Sequence, residues 1–282
     1  MRGLLLLLII FKISLAEGQN SHELKFINYL VNKGDYDEAL FLAEKSISYL
    51  NPEQLDSLNY FKGWAHYSVK NLELSTLSLL NVSKSSPFYP KSRLFAGYNQ
   101  IYLGNYSEAK DVFSQTEVSG ELIQSLLTFE LSGIAMLEGN WTSAKNKFDS
   151  LTRNVALINQ QIATLNKICD EQENHHPKSP VLAGIMSGIV PGLGKIYVGK
   201  TGEGIASLIT NVGFGLITWE NYRKLGYTDF KTIFFGSIFA ANYISNIYGT
   251  VISVKIIEDE YQSSVHNQIL FQLHIPLRNF FE

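Results

Sequence analysis

Apolar residues are distributed unevenly along this chain. Residues 20–176 carry apolar side chains at helical intervals with polar side chains between them, whereas residues 181–257 are dominated by Ile, Leu, Val, Phe, Gly and Tyr. Helices with one apolar face are typical of modules that face water, while a segment that is apolar at most positions suits a dry environment such as lipid. The pattern therefore predicts two helical modules in two different environments.

The N-terminus carries a third pattern. Arg2 precedes an apolar run over residues 4–11, and the small residues Ser14 and Ala16 follow it with one position between them. This order is typical of a cleavable secretory signal peptide. The run is shorter than the roughly 20 residues that a spanning helix needs. We therefore predict a signal peptide at 1–16 and an extracytoplasmic location, periplasmic in a bacterium, for the residues that follow.

Similar short segments recur through the first module, beginning at residues 34, 70, 104 and 139. Each begins with a turn residue, has a bulky apolar residue two positions later and a small residue five positions later. The sets are Gly34, Tyr36 and Ala39; Lys70, Leu72 and Ser75; Gly104, Tyr106 and Ala109; and Gly139, Trp141 and Ala144. Intervals of 34 to 36 residues suit a pair of helices joined by a tight turn.

Each residue type has a physical role at its place in the repeat. Glycine adopts the left-handed conformation that ends a helix, the bulky residue begins the second helix, and the small residue lets paired helices cross closely. Gly63 and Gly97 precede two of the turns by seven residues, and Leu79 and Phe113 follow the small positions by four. Over roughly residues 22–156 the chain resembles the TPR family.

That resemblance implies an array of helical hairpins whose surface holds a segment of a partner protein. The candidate partner-binding residues are Asn28, Tyr60, Tyr67, Tyr98 and Tyr102. An equally open alternative is that these aromatic residues fill gaps between helices. Apolar residues at steps of three or four predict a further amphipathic helix over 150–173, which caps the array or associates as a coiled coil. A polar linker follows at 174–180, so the repeat domain is predicted to occupy 20–173.

The second module, predicted at 181–257, opens with a glycine-rich apolar stretch that Pro191 interrupts. We expect a short interfacial helix there, followed by two spans at about 204–222 and 233–254. The motif residues are Pro191, Gly192, Gly194, Tyr197, Gly199 and Gly204. This Pro-Gly-x-Gly-x-x-Tyr-x-Gly arrangement resembles a small bacterial two-helix transmembrane domain, which implies a membrane anchor and no activity. The tail at 258–282 has apolar residues in alternation near its end, which predicts a strand or an extended segment.

Two polar residues interrupt the second predicted span. Asn242 and Asn246 lie one helical turn apart, and amides inside a bilayer need hydrogen-bonding partners. We expect them to face the first span or the same helices of another copy, which would make the protein a homo-oligomer. Lining a transport pathway is the alternative.

Charge and motif content narrow the function class. The net charge is -3 and there is no lysine and arginine cluster, so nucleic-acid binding is not expected. The single cysteine, Cys169, has no disulfide partner and suits a buried position better than a reactive one. No catalytic or metal-ligand spacing stands out. Residues 194–201 match the letters of a phosphate-binding loop, but bulky residues inside the match disfavour that role.

The sequence thus predicts an all-α protein: TPR-like hairpins followed by a helical transmembrane domain. The function predicted is a non-enzymatic scaffold of the bacterial cell envelope that needs no cofactor, is anchored in the lipid bilayer and binds a protein partner through its repeats. An accessory component of membrane-protein insertion or transport is the first alternative. A nucleotide-binding protein that uses residues 194–201 is the second.

Overall fold

The computed structural model describes residues 22–46, 50–117, 119–151 and 158–281. The predicted signal peptide lies outside these residues. All regular secondary structure in the described residues is helical, which confirms the all-α class. The chain divides into two compact units, residues 1–173 with 268–282, and residues 174–267.

The first unit consists of successive helical hairpins. Its helices are α1 (22–33), α2 (Tyr36–Ser46), α3 (Pro52–Ser68), α4 (Leu72–Leu80), α5 (Tyr89–Tyr102), α6 (Tyr106–Ser114), α7 (Glu121–Leu137), α8 (Trp141–Leu151) and α9 (Asn159–Glu173). Four of the helix pairs enclose the predicted turns: α1 with α2, α3 with α4, α5 with α6, and α7 with α8. Residues 152–157 lie outside the described structure, so the single helix predicted over 150–173 is described only at 150–151 and 158–173.

The repeat residues have the local geometry that the sequence predicts. Gly34, Gly104 and Gly139 have φ of 91°, 81° and 79°. Lys70 takes the same left-handed turn with φ of 64°, although it carries a side chain. The bulky residues are the first residues of α2, α4, α6 and α8: Tyr36, Leu72, Tyr106 and Trp141. The small residues are all buried: Ala39, Ser75, Ala109 and Ala144.

Close packing explains the two further glycines of the repeat. A Cβ atom added to Gly63 would lie 2.6 Å from Leu79 Cγ, and one added to Gly97 would overlap the Phe113 ring. Ser75 Oγ also donates a hydrogen bond of 2.8 Å to Gly63 O. The glycine therefore lets the second helix of a hairpin lie directly against the backbone of the first.

Cys169 is fully buried in α9 beside apolar neighbours on the same face. Burial raises the pKa of its thiol to about 12. The thiolate, which is the reactive form, is therefore scarce at neutral pH. This agrees with the structural role predicted for the residue.

The second unit contains α10 (Pro180–Ile189), α11 (Leu193–Tyr197), α12 (Thr201–Leu225) and the first part of α13 (Phe230–Phe281). The short helix α10 lies where the sequence predicts a short helix, and the predicted spans fall within α12 and α13. In the described residues, no helix combines the length and the apolar content needed to cross a bilayer. The prediction of two spans therefore has no support from the helices themselves.

The tail is the clearest difference from the sequence prediction. Instead of a strand or an extended segment, α13 continues without interruption to Phe281, and the prediction of period-two structure was wrong. The apolar residues of the tail also match a helical stripe, which Ile269, Leu270, Leu273 and Leu277 form, and all four are buried. Burial of this stripe within the first unit favours the helix over the strand.

Candidate functional site

The last part of α13 lies on the first unit against the first helices of three hairpins. We call residues 268–281 the terminal segment. We call the surface around Tyr67 of α3, Tyr98 of α5 and Gly133 of α7 the first-helix face. The terminal segment belongs to the same compact unit as these helices.

Polar contacts fix the register of the terminal segment on this face. The Tyr67 hydroxyl shares a hydrogen bond with His274 Nε2. The Tyr98 hydroxyl donates to Leu270 O at 3.2 Å, and its ring stacks on the His274 imidazole with 4.9 Å between ring centres and 14° between planes. Both tyrosines thus contact one histidine of the bound helix, from two different hairpins.

Apolar contacts also hold the terminal segment on the first-helix face. Gly133 lacks a side chain where Leu273 packs, and an added Cβ would lie 2.8 Å from Leu273 Cγ. Leu273 and Leu277 are fully buried. Small residues that admit a neighbouring side chain, together with hydroxyls that pair with the polar positions, are what a helix-binding surface requires.

The predicted partner-binding residues divide into two groups. Tyr67 and Tyr98 line the first-helix face, where both are buried against the terminal segment of the same chain. Tyr60 instead stacks on Phe88 with 4.4 Å between ring centres and is buried within the array, so the gap-filling alternative holds for it. Tyr102 is exposed, and Asn28 Oδ1 accepts a hydrogen bond of 3.3 Å from Asn32 Nδ2 one turn along the same helix.

Sequence reasoning did not find His274, Leu273 or Gly133. Leu270, Leu273, His274 and Leu277 have the spacing of one helix face, which could have predicted a helix. Apolar residues at alternate positions of the same stretch instead predict a strand. Gly133 lies outside the repeat positions, so no repeat comparison could single it out.

A buried acid lies in the same array. Glu130 of α7 is fully buried, and among the described residues neither carboxylate oxygen has a hydrogen-bond partner. Burial raises the pKa of this carboxyl well above its ordinary value, so the neutral form is favoured. Burial also raises the pKa of the Tyr98 phenol, with smaller contributions from Tyr67 and Glu130. The centre of the array is therefore a low-dielectric site whose ionisable groups are held uncharged.

The first unit also has a cavity of about 370 Å³ beside the terminal segment. Trp64 and Tyr67 of α3 and Lys70 of the following turn line one side, and His274 and Arg278 of the terminal segment line the other. The Lys70 ammonium lies 5.6 Å from the centre of the Tyr67 ring.

The second unit holds a polar cleft of about 350 Å³ between α12 and α13. Its lining includes Lys195, Glu203, Ser207, Asn211, Asn242 and Asn246. The two asparagines singled out in the second predicted span thus face polar residues of α12, which is one of the arrangements that the sequence left open. Asn242 Nδ2 donates to Ile238 O at 3.0 Å, whereas Asn246 lies deeper and is buried.

The glycine motif that precedes this cleft has a structural role. Gly192 and Gly199 have φ of 87° and 95°, in the turns that follow Pro191 and Tyr197. A Cβ on Gly204 would lie 2.7 Å from Gly192 O, so the glycines let the chain fold back tightly on itself.

The structure of residues 194–201, whose letters match a phosphate-binding loop, differs from that of such a loop. Gly194 lies in α11 and its amide donates to Ser187 Oγ at 3.1 Å, while Tyr197 O accepts from Lys178 Nζ at 2.6 Å. A phosphate-binding loop connects a strand to a helix and points its free amides at the ligand. Residues 194–197 are helical here, and no strand occurs in the described ranges.

No family model, curated protein or solved structure matches this chain. The fold and the two sites define an all-α protein. Its first unit is an array of helical hairpins that binds the terminal segment of the same chain, and its second helical unit contains a polar cleft. In the part of the chain that the structure covers, no group of His, Cys, Asp or Glu has the arrangement of a metal site.

Proposed function

We propose that this protein is a non-enzymatic scaffold of the bacterial cell envelope, held at a membrane by its second unit. Its first-helix face binds an amphipathic helix of a partner protein. The observation that supports this proposal is the packing of the terminal segment against Tyr67, Tyr98 and Gly133. A surface that already holds one helix by side-chain hydrogen bonds and buried leucines has the chemistry to hold another.

The terminal segment describes the helix that the face would accept. It presents Leu270, Leu273, His274 and Leu277. The leucines lie about one turn apart, and the His274 ring is hydrogen-bonded by the Tyr67 hydroxyl and stacked on the Tyr98 ring. A partner with this spacing competes with the terminal segment for the same surface. Because the segment is part of the chain, its effective concentration is high, and the partner must displace it.

A peptide experiment tests this proposal. Fluorescence anisotropy is measured for a labelled peptide with the sequence of residues 264–279, added to the full chain and to the variant Leu273→Asp/Leu277→Asp, whose own segment cannot bury two carboxylates. We expect the variant to bind the peptide about a hundredfold more tightly than the wild type, because the intramolecular competitor is gone. Adding Gly133→Leu to the variant should abolish binding. No binding to the released variant would reject the helix-binding role.

The membrane contact is supported by the apolar surface of the second unit. Val181 and Ile189 of α10 are 69% and 74% exposed, and Ile209 of α12 and Phe230 of α13 are 66% and 77% exposed. Exposed apolar side chains concentrated in one unit favour a contact with another apolar phase or with a partner. Trp219 and Tyr222, with Arg223 and Lys224 beside them, suit a membrane–water interface.

Flotation with phospholipid vesicles tests the membrane contact. The full chain is expected to float with the vesicles and to stay bound in alkaline carbonate. Val181→Glu/Ile189→Glu should release it, while Phe26→Glu, an exposed position of the first unit, should not. Recovery of the wild-type protein in the carbonate supernatant would contradict the proposal.

An accessory role in membrane-protein insertion or transport is a second candidate, favoured by the polar cleft. Asn242→Leu/Asn246→Leu removes the two amides that α13 contributes to the cleft and leaves the hairpins intact. A scaffold that uses its second unit only as an anchor tolerates this change, whereas a protein that works through the cleft loses activity. Crosslinking of the membrane-extracted protein distinguishes a partner complex from contacts between copies of this chain alone.

A further inference from the structure

Glu130 of α7 lies next to the first-helix face. It precedes Gly133 by one helical turn, and residues three apart lie on the same side of a helix. Gly133 is the residue against which Leu273 of the terminal segment packs. Glu130 also interacts electrostatically with the Tyr98 phenol, which donates to Leu270 O. The carboxyl is therefore close to two of the residues that hold the terminal segment.

The burial of this carboxyl is not compensated by any polar contact. Glu130 is 0% exposed, and neither oxygen has a hydrogen-bond partner among the described residues. Burial raises its pKa, and in the same part of the chain no cation offsets that shift. A buried acid without a partner costs free energy, and such a group in a folded protein points to a ligand or ordered water.

The basic residues of the neighbouring helices make other contacts. Arg93 of α5 donates to two main-chain carbonyl oxygens, at 3.3 and 3.1 Å. Lys110 of α6 pairs with Glu138 at 2.5 Å, and Lys145 of α8 pairs with Asp170 at 2.6 Å. A cation for the buried acid therefore has to come from a helix bound to the first-helix face.

The terminal segment does not supply that cation. It places Leu270 at Tyr98 and Leu273 at Gly133. Its arginine, Arg278, lines the cavity beside Trp64 and Lys70, one turn beyond His274. The helix that belongs to the chain thus leaves Glu130 unsatisfied, and a competing helix gains an advantage if it brings a donor to this place.

We propose that Glu130 selects partner helices that carry a lysine or an arginine where the terminal segment has Leu270 or Leu273. The ammonium or guanidinium group donates to the carboxylate, and a charge-assisted hydrogen bond of this kind is about twice as strong as a neutral one. This gain helps the partner to displace a segment that is tethered to the same chain. The inference rests on the helix binding of the proposed function and names the chemistry of the partner.

Peptides with matched substitutions test the inference. Labelled peptides of residues 264–279 are made with Leu270→Lys, Leu270→Met, Leu273→Lys or Leu273→Met, since methionine has similar length and no charge. Each is added at pH 7 to the full chain with Leu273→Asp/Leu277→Asp, and fluorescence anisotropy gives its affinity. We expect the lysine peptide to bind about tenfold more tightly than the methionine peptide at one of the two positions, the effect of one hydrogen bond to a charged group.

Two acids of α7 provide the matched receptor variants. Glu130→Gln, added to the same chain, keeps the shape of the side chain and should remove the tenfold preference for lysine. Glu121→Gln, at an exposed position of the same helix, should leave the preference unchanged. Equal loss in both variants would assign the preference to overall charge and reject the role of Glu130. If circular dichroism shows that Glu130→Gln does not fold, Glu130→Met takes its place.

The unsubstituted peptide separates this inference from the proposed function. Binding of that peptide without a preference for lysine at either position would overturn the selection by Glu130 and leave the helix-binding role standing. A lysine preference that persists in Glu130→Gln would also overturn it, because another group would then bind the cation. Absence of binding by every peptide would reject both proposals.

Discussion

Tyr67 and His274 share a hydrogen bond although 207 residues separate them in the sequence. The same imidazole stacks on Tyr98, so a single side chain of the terminal segment contacts two hairpins. The hairpin array and the last residues of the chain therefore fold as one unit, and the array is already occupied by a helix.

A double-mutant cycle measures the strength of this bond. Tyr67→Phe and His274→Phe each remove one partner and keep an aromatic ring. We expect each to weaken the hydrogen-exchange protection of residues 268–279, with a coupling free energy of about 1 kcal/mol, typical of a protein hydrogen bond. Tyr102→Phe, an exposed tyrosine of α5, is the control. Equal effects of Tyr67→Phe and Tyr102→Phe would show that the bond does not hold the segment.

Gly133→Ala should loosen the terminal segment by steric overlap with Leu273. The expected loss in the free energy of unfolding is about 1–3 kcal/mol, the usual cost of overpacking. Gly213→Ala, at a helical glycine of α12 with open space around it, should instead gain about 0.5–1 kcal/mol. Leu273→Ala makes room for the new methyl group, so Gly133→Ala should cost less in that background. Additive losses would contradict direct contact.

The turn between α5 and α6 requires a left-handed residue at Gly104, with φ of 81°. Gly104→Ala should destabilise the first unit by about 1 kcal/mol, because a Cβ atom disfavours this conformation. Gly104→Asn should cost about half as much, since asparagine adopts the left-handed conformation more readily. Chemical denaturation with matched conditions ranks the three proteins. An alanine variant as stable as the wild type would be inconsistent with the turn described.

Glu130 makes the stability of the first unit depend on pH. Burial raises the pKa of its carboxyl in the folded state, so the unfolded chain releases its proton at a lower pH than the folded chain. The free energy of unfolding should therefore fall as pH rises above the ordinary value near 4.5 and level off at the folded-state pKa. Each pKa unit of difference corresponds to about 1.4 kcal/mol.

The variant Glu130→Gln removes this dependence while preserving the shape of the side chain. We expect it to be more stable than the wild type at pH 7 and to lose that advantage near pH 4, in denaturation measured across the range. Glu121→Gln, at an exposed position of the same helix, should show no such convergence. A constant difference between Glu130→Gln and the wild type at every pH would mean that the carboxyl is ionised in the folded protein.

The helical hairpins could be predicted because their signals are local. Gly104 ends one helix, Tyr106 begins the next and Ala109 packs between them, all within six residues, and the structure places each one as the spacing indicates. Asn242 and Asn246 were also placed on a common face by their spacing of four. Turn chemistry and helical period depend on neighbours in the sequence, so the sequence suffices for them.

The occupant of the first-helix face, the burial of Glu130 and the depth of the polar cleft depend on contacts between distant residues. The tail has both an alternating and a helical apolar pattern, and only burial of Leu273 and Leu277 against the array selects the helix. Local residues thus specified the hairpins and their turns. The identity of the bound helix, and the residues that meet in the polar cleft, were decided by tertiary packing, because the free energy of burial depends on which surfaces meet and not on the order of residues along one of them.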